Sequence, residues 1–175
     1  MRRVVVYGNS GSGKSTLGRA LAERLGVPFI ELDAIYHARA NWDDLSREEF
    51  RARVLEVLAE NPDGWVIDGN YSAARDLILP LADTAIWLKL PFGVVYWRLW
   101  KRTLGRMRRH ELLWGTNRET IHDQFFSRES ILLWGVTHWR STRRNVARDL
   151  ATIPHHAKVI TLTSPRAAVA LLRAA

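Results

Sequence analysis

Residues 8–15 read Gly8-Asn9-Ser10-Gly11-Ser12-Gly13-Lys14-Ser15 and fit the pattern G-x-x-x-x-G-K-[ST]. The apolar run Arg3-Val4-Val5-Val6-Tyr7 precedes this stretch, and a helical pattern from Ser15 to Leu25 follows it. A strand before the loop and a helix after it form the setting in which this pattern binds phosphate. Because glycine makes up only about 7% of residues on average, the pattern rarely arises there by chance. Residues 8–15 therefore predict a phosphate-binding loop.

The residue types of this loop suit a polyphosphate. Glycines let the backbone curl so that successive N–H groups point at phosphate oxygens, and the N-terminal end of the next helix adds positive potential. Lys14 is expected to reach the β- and γ-phosphates, and the Ser15 hydroxyl to bind Mg²⁺. The predicted nucleotide-binding residues of the loop are Gly8, Gly11, Ser12, Gly13, Lys14, Ser15 and Thr16. The predicted cofactors are accordingly ATP and Mg²⁺.

Strand and helix patterns alternate along the rest of the chain. Strand patterns recur at residues 28–32, 64–68, 84–90 and 158–162. Helices are expected to begin at the Ser46–Glu49 capping box and at Ser164-Pro165. Such alternation is typical of βαβ units around a parallel sheet. We predict an α/β fold over residues 1–175, a single P-loop NTPase domain with a five-stranded parallel sheet flanked by helices and a helical insertion before the last strand.

The composition is that of a globular protein, and its charge is unevenly distributed. Hydrophobic residues make up 47% of the chain, in runs too short for a membrane span. The absence of cysteine excludes disulfides, thiolate zinc sites and cysteine nucleophiles, and it favours a cytoplasmic location. Of the net charge of +8, +7 lies between Arg98 and Asp149, with 12 basic and 5 acidic residues. Such a segment suits a polyphosphate, a nucleic acid or an acidic surface.

The chain resembles the adenylate-kinase-like P-loop kinases over most of its length. The resemblance rests on the phosphate loop, on Asp68-Gly69 at the end of the third strand, and on the arginine-rich stretch before the last strand. More narrowly, the segments Leu32-Asp33-Ala34-Ile35-Tyr36-His37 and Ile67-Asp68-Gly69-Asn70-Tyr71 are similar to those of the DNA topology modulation proteins. The broader resemblance implies an ATP-dependent kinase with a lid that closes over the nucleotide.

Two aspartates follow predicted strands, at the sheet edge where ligands of open α/β folds bind. Asp68 ends the third strand, and a metal-binding role is favoured there over that of a turn residue. Asp33 follows the second strand. It either accepts the proton of an acceptor hydroxyl or caps a turn, and the sequence leaves both readings open. Tyr36, His37 and Trp42 either line an acceptor pocket or serve in packing.

Two departures from related kinases bear on the acceptor. Adenylate kinases continue the Asp-Gly pair with Phe-Pro-Arg, whose arginine grips the acceptor phosphate. Here the run is Asn70-Tyr71-Ser72, and Arg75 is the nearest arginine. Shikimate kinases carry a triple glycine near this region, which the chain lacks. These departures argue against both AMP and shikimate as acceptors.

Arginines of the basic segment recur at helical spacing. One stripe contains Arg98, Arg102, Arg106 and Arg109, and a second contains Arg140, Arg144 and Arg148. Two such stripes suit a lid, at about residues 98–149, that neutralises the transferring phosphoryl group and excludes water on closure. A solvated helix face is the alternative. The resemblance implies nucleotide contacts for Arg98 and Arg102, and the predicted catalytic residues are Lys14, Asp33, Arg102, Arg140 and Arg144.

The favoured function is transfer of the γ-phosphoryl group of Mg-ATP to a small acceptor, a nucleoside or nucleotide. The alternative is a nucleic-acid-associated ATPase of the DNA topology modulation type, which the interleaved pairs Trp97-Arg98 and Trp139-Arg140 also suggest. A lid explains the same charge without a nucleic acid, so nucleic acid is the less favoured partner. A nucleotide-binding protein without turnover is a third reading. The sequence leaves the oligomeric state and the choice between ATP and GTP open.

Overall fold

A computed structural model describes residues 1–38, 44–109, 112–113, 117–118 and 136–175. The strands are β1 (Arg3–Gly8), β2 (Phe29–Glu31), β3 (Trp65–Asp68), β4 (Thr84–Leu88), β5 (Leu112–Leu113), β6 (Asn117–Arg118) and β7 (Lys158–Leu162). The helices are α1 (Lys14–Leu25), α2 (Leu32–Tyr36), α3 (Arg47–Glu60), α4 (Ser72–Ile78), α5 (Phe92–Arg109), α6 (Trp139–Thr152) and α7 (Pro165–Ala174). A 3-10 turn at Leu79–Leu81 follows α4.

The main sheet has five parallel strands in the order β2-β3-β1-β4-β7. In this register Val6 of β1 pairs with Asp68 of β3, and Glu31 of β2 pairs with the same aspartate. The carboxyl ends of β1, β2 and β3 therefore meet at one edge of the sheet, where ligands of such folds bind. The predicted five-stranded parallel α/β architecture is confirmed.

Helices cover both faces of this sheet. On β1, Val5 and Tyr7 face a core that includes Phe50 of α3, whereas Val4 and Val6 face a core with α1 and α7. Because both faces are buried, the strand has a continuous apolar sequence rather than an alternating one. The central strand that leads into residues 8–15 is thus held rigidly on both sides.

Local capping signals mark the starts of α3 and α7. The Ser46 hydroxyl accepts from the Glu49 amide while the Glu49 carboxylate accepts from the Ser46 amide, which forms the predicted capping box. Ser164 caps α7 through the Ala167 amide, with Pro165 at the first helical position. The short helices α2 and α4 were not predicted, since five and seven residues carry too little periodicity to detect.

The predicted lid is described only in part. Helix α5 begins it, strands β5 and β6 pair in antiparallel fashion, and α6 follows. The side chains of Arg106 and Arg109 lie outside the described residues, as do residues 119–135 and Trp42. Among the described helices, none combines the length and apolar composition needed to cross a bilayer.

Candidate active site

Glycine backbone conformations shape the loop between β1 and α1. Gly11 has φ 81° and Gly13 has φ 95°, both in the left-handed region that disfavours other residues. A Cβ atom at Gly11 would lie 2.7 Å from the Val95 carbonyl oxygen and 2.9 Å from Leu99 Cβ. Helix α5 therefore packs directly on the loop, and this contact requires glycine as much as the dihedral angle does.

The N-terminal end of α1 is open to an anion. Gly13 is the N-cap residue of α1, and without a side chain it leaves the first N–H groups of the helix without a side-chain acceptor. Arg98 of α5 lies beside this end, where its Nη1 donates to the Ser12 carbonyl oxygen at 3.3 Å. The loop, the helix end and a guanidinium group thus converge, as expected for a site that binds phosphate groups.

Lys14, Ser15 and Asp68 form a cluster at the carboxyl edge of the sheet. The Ser15 hydroxyl donates to Asp68 Oδ2 at 2.5 Å, and Lys14 Nζ lies 3.9 Å from Asp68 Oδ1. Burial raises the pKa of the Asp68 carboxyl, while Lys14 and the Ser15 hydrogen bond oppose that shift. The nearby carboxylates of Asp33 and Glu31 raise the pKa further. Asp68 is therefore a buried carboxylate that would gain from a cation.

The donors of this cluster fit Mg²⁺. Asp68 Oδ1 is buried and makes no hydrogen bond within the described part of the chain. A buried carboxylate oxygen without a donor is costly, and a hard cation satisfies it. The Ser15 hydroxyl, on the adjacent helix end, supplies a second oxygen of the kind that Mg²⁺ binds.

A cleft of about 540 Å³ opens from Lys14 toward α2, α3 and α4. Its floor is aromatic, because the Tyr36 ring lies 5.4 Å from Phe50 and 5.0 Å from Tyr71 between centroids. Asp33 is exposed at this cleft, and Arg47 lines it as well. Burial raises the pKa of the Tyr71 hydroxyl, and the charge of Asp33 and a hydrogen bond to it add to that shift. Tyr71 thus stays a neutral donor that holds the Asp33 carboxylate.

The predicted lid arginines are exposed to solvent. Arg102 is exposed on α5, and Arg140 and Arg144 are exposed on α6. Within the described residues, the structure gives no contact between Arg140 or Arg144 and the phosphate loop. His37 pairs with Asp44 at 2.5 Å. That these three arginines contact a bound nucleotide when the lid closes stays a prediction.

A polar network beside the loop was not predicted from the sequence. The Asn70 side chain bonds to both backbone groups of Gly8, and Arg75 donates to the Asn70 carbonyl oxygen at 2.6 Å. Arg75 is only 2% exposed and forms an ion pair with Asp149 of α6. It is therefore a structural residue and does not take the place of the acceptor-binding arginine of adenylate kinases. The sequence marks Arg75 as the nearest arginine after Asp68-Gly69. Its partner Asp149 lies too far along the chain to be inferred from the sequence.

Comparison with known sequences identifies one family. The family profile described as Shikimate kinase matches residues 10–132. A shikimate kinase of Paramagnetospirillum magneticum is 30% identical over 133 residues, which cover 69% of this chain and 66% of that protein. One of Thermobifida fusca is 45% identical over 62 residues, covering 32% of this chain and 36% of the relative. The matched part of the chain thus spans less than two thirds of either relative.

Comparison with solved structures supports the same fold. A gluconokinase of Sinorhizobium meliloti aligns with a TM-score of 0.54 and 22% identity, covering 99% of this chain and 92% of the other. A shikimate kinase of Bacteroides thetaiotaomicron aligns with a TM-score of 0.56 and 16% identity, covering 99% and 95%. At these identities the likeness shows the fold alone. The predicted P-loop kinase fold is confirmed, whereas these relatives do not show the narrower resemblance to DNA topology modulation proteins.

Proposed function

The chain belongs to the shikimate kinase family, and from this premise we propose that it transfers the γ-phosphoryl group of Mg-ATP to a hydroxyl of a small hydroxy acid. Shikimate and gluconate, named in the relatives' descriptions, are both carboxylates that carry several hydroxyl groups. The observation that carries the proposal is the cleft that joins Lys14 of the phosphate loop to Asp33 and Arg47. One end would receive the γ-phosphate, and the other offers a carboxylate for a hydroxyl and a guanidinium for an acid group.

Charge stabilisation is the main contribution of the loop. The backbone N–H groups at the start of α1 would hold the phosphates, and Lys14 would neutralise charge that develops on the transferring group. Arg98 stands beside the same loop at the Ser12 carbonyl and would add a second positive charge. Arg102, Arg140 and Arg144 would join from the lid, and closure would exclude water from the site.

Mg²⁺ would be held by the Ser15 hydroxyl and by Asp68, whose buried Oδ1 has no hydrogen-bond donor in the described part of the chain. When bound, the ion neutralises phosphate charge and orients the polyphosphate. Lys14 Nζ, 3.9 Å from Asp68 Oδ1, lowers the pKa of that carboxyl and so opposes the effect of its burial.

Asp33 would orient the acceptor hydroxyl and receive its proton. Tyr71 donates to Asp33 and fixes the carboxylate at the mouth of the cleft. Arg47, on the first turn of α3, would pair with the acid group of the acceptor. The family membership favours this acceptor class over the nucleoside or nucleotide expected from the sequence. Shikimate kinases carry a triple glycine near Asp68-Gly69. In this chain Asn70 and Tyr71 follow that pair and line the cleft.

A second candidate, a nucleic-acid-associated ATPase, is favoured by one surface feature. The exposed Trp97 and Trp100 rings stack at 5.7 Å on α5, and Lys101 Nζ lies 4.9 Å from the Trp97 ring centroid. An aromatic platform with adjacent cations is typical of surfaces that bind single strands. This candidate predicts ATP hydrolysis that DNA or RNA stimulates and that salt suppresses steeply.

An acceptor panel tests the proposal. Mg-ATP consumption is measured with shikimate, gluconate, nucleosides, nucleotides, single-stranded DNA and RNA in turn. We expect ADP formation with a hydroxy acid, and the Arg47→Ala variant should raise the KM for that acid while leaving the KM for ATP unchanged. Arg53→Ala is the matched control, because Arg53 on the same helix pairs with the exposed Glu56 and Glu60 and does not line the cleft. Stimulation by nucleosides alone, or by nucleic acid alone, would refute the acceptor class.

A further inference from the structure

The Asn70 side chain continues the pairing between β1 and β3 beyond the end of the strands. The backbone ladder ends where Val6 pairs with Asp68, with a long bond of 3.5 Å from the Gly69 amide to the Val6 carbonyl oxygen. Beyond it, the Gly8 amide donates to Asn70 Oδ1 at 3.1 Å, and Asn70 Nδ2 donates to the Gly8 carbonyl oxygen at 2.6 Å. The carboxamide presents the donor and acceptor of a peptide group and takes the place of one.

Gly8 is the residue at which β1 becomes the phosphate loop. Both of its backbone groups bond to one side chain from the segment just after β3, which ties the start of the loop to the end of that strand. The Asp68 carboxylate ends β3, two residues before Asn70. The same contact therefore links the start of the loop to the strand end that carries the carboxylate facing Lys14 and Ser15.

Asn70 is itself held from behind. Arg75 Nη2 donates to the Asn70 carbonyl oxygen at 2.6 Å. The Arg75 guanidinium lies over the Tyr7 ring at 5.2 Å and forms its ion pair with Asp149. Buried hydrogen bonds to a charged group are strong and directional, so the Asn70 backbone has little freedom. The side chain is thus presented to Gly8 in one orientation.

We propose that Asn70 is a positioning residue that holds the phosphate loop in its nucleotide-binding conformation. Because Asn70 also lines the acceptor cleft, it connects the nucleotide site to the acceptor site. The proposal rests on the proposed function only in assuming that the loop binds a nucleotide. Loss of the carboxamide frees the Gly8 peptide groups, and the loop must then be ordered by the nucleotide at a cost in affinity.

Mg-ADP binding without any acceptor tests this role. Titration calorimetry on the full chain, well below the unfolding temperature of each variant, gives the Kd. We expect Asn70→Ala to raise the Kd about ten-fold, the scale set by the loss of two hydrogen bonds. Asn61→Ala is the matched control, because the Asn61 side chain bonds to the Val57 carbonyl oxygen at the end of α3. Its Kd should equal that of the unchanged protein even where its stability falls.

Asn70→Asp provides a second variant of the same size. It keeps the acceptor for the Gly8 amide but places an oxygen against the Gly8 carbonyl, so its Kd should also rise. An unchanged Kd for Mg-ADP in a folded Asn70→Ala or Asn70→Asp protein overturns the inference, even if the acceptor KM changes, since that result would make Asn70 an acceptor contact only. If the unchanged protein fails to bind Mg-ADP, the proposed function falls and the inference falls with it.

Discussion

The ion pair between Arg75 and Asp149 leads to a sharp prediction about stability. Arg75 is 2% exposed and Asp149 is 6% exposed, and the pair joins α4 to α6 across the carboxyl end of the sheet. Asp149→Ala leaves the Arg75 guanidinium buried without its counter-charge, and its remaining acceptors among the described residues are the carbonyl oxygens of Asn145 and Asn70. Removal of one partner of a buried pair costs about 3–5 kcal/mol. We therefore expect Asp149→Ala to lose that amount in the free energy of unfolding.

A double-mutant cycle separates this effect from lost packing. The cycle compares Arg75→Met, Asp149→Leu and the double variant. The double variant buries neither charge of the pair, so most of the stability lost in the single variants should return, as apolar replacements of buried pairs are often neutral. The coupling energy between the two sites should then be about 2 kcal/mol or more. Urea denaturation monitored by tryptophan fluorescence gives each free energy, provided the slopes agree.

The same helix supplies the control. Asp76 of α4 pairs with Arg51, and that pair is open to solvent. Asp76→Ala should therefore change the free energy of unfolding far less than Asp149→Ala, because water and salt screen an exposed pair. A loss below about 1 kcal/mol for Asp149→Ala would contradict the expected effect of burial on this pair. So would an Arg75→Met/Asp149→Leu variant no more stable than Asp149→Leu alone.

Three further predictions follow from the loop and the helix ends. Burial raises the pKa of the Asp68 carboxyl, so Mg²⁺-dependent nucleotide binding should weaken as the pH falls, and at a higher pH than an ordinary aspartate would give. Titration calorimetry across pH checks this, and Asp68→Asn should abolish the pH dependence. Gly11→Ala forces a left-handed alanine against Val95 and should lower both Tm and nucleotide affinity, with strain of about 1–2 kcal/mol; calorimetric scans that show an unchanged Tm would contradict it. Ser46→Ala removes the α3 cap and should cost about 1 kcal/mol in urea denaturation, with nucleotide affinity unchanged.

The parts of the fold that could be predicted are determined by residues close together in the sequence. The phosphate loop, the capping box at Ser46 and the cap at Ser164 are each determined within a few residues of sequence. The alternation of strand and helix patterns then restricts the sheet to a parallel one. Tertiary contacts strengthen these elements but do not create their signals, so the sequence alone was sufficient for them.

The missed parts depend on distant partners. The Asn70 contact with Gly8 spans 62 residues and exists only because β1 and β3 are adjacent in the sheet. Arg75 was noted only as the nearest arginine after Asp68-Gly69. Its buried role was not predicted, because its partner Asp149 is 74 residues away on a helix assigned to the lid. Arg47 was not singled out from the sequence for a related reason, because it reaches the cleft only through the packing of α3.

The fate of the γ-phosphate of ATP distinguishes phosphoryl transfer from ATP hydrolysis. ATP labelled in that group is incubated with Mg²⁺, the protein and the hydroxy acid found active in the panel, and the label in the acid is compared with the label in free phosphate. We predict transfer to the acid by the unchanged protein and its near-complete loss in Lys14→Ala, with the fold retained. Label that appears only as free phosphate, or transfer that survives Lys14→Ala, would contradict the account of a kinase built on this loop.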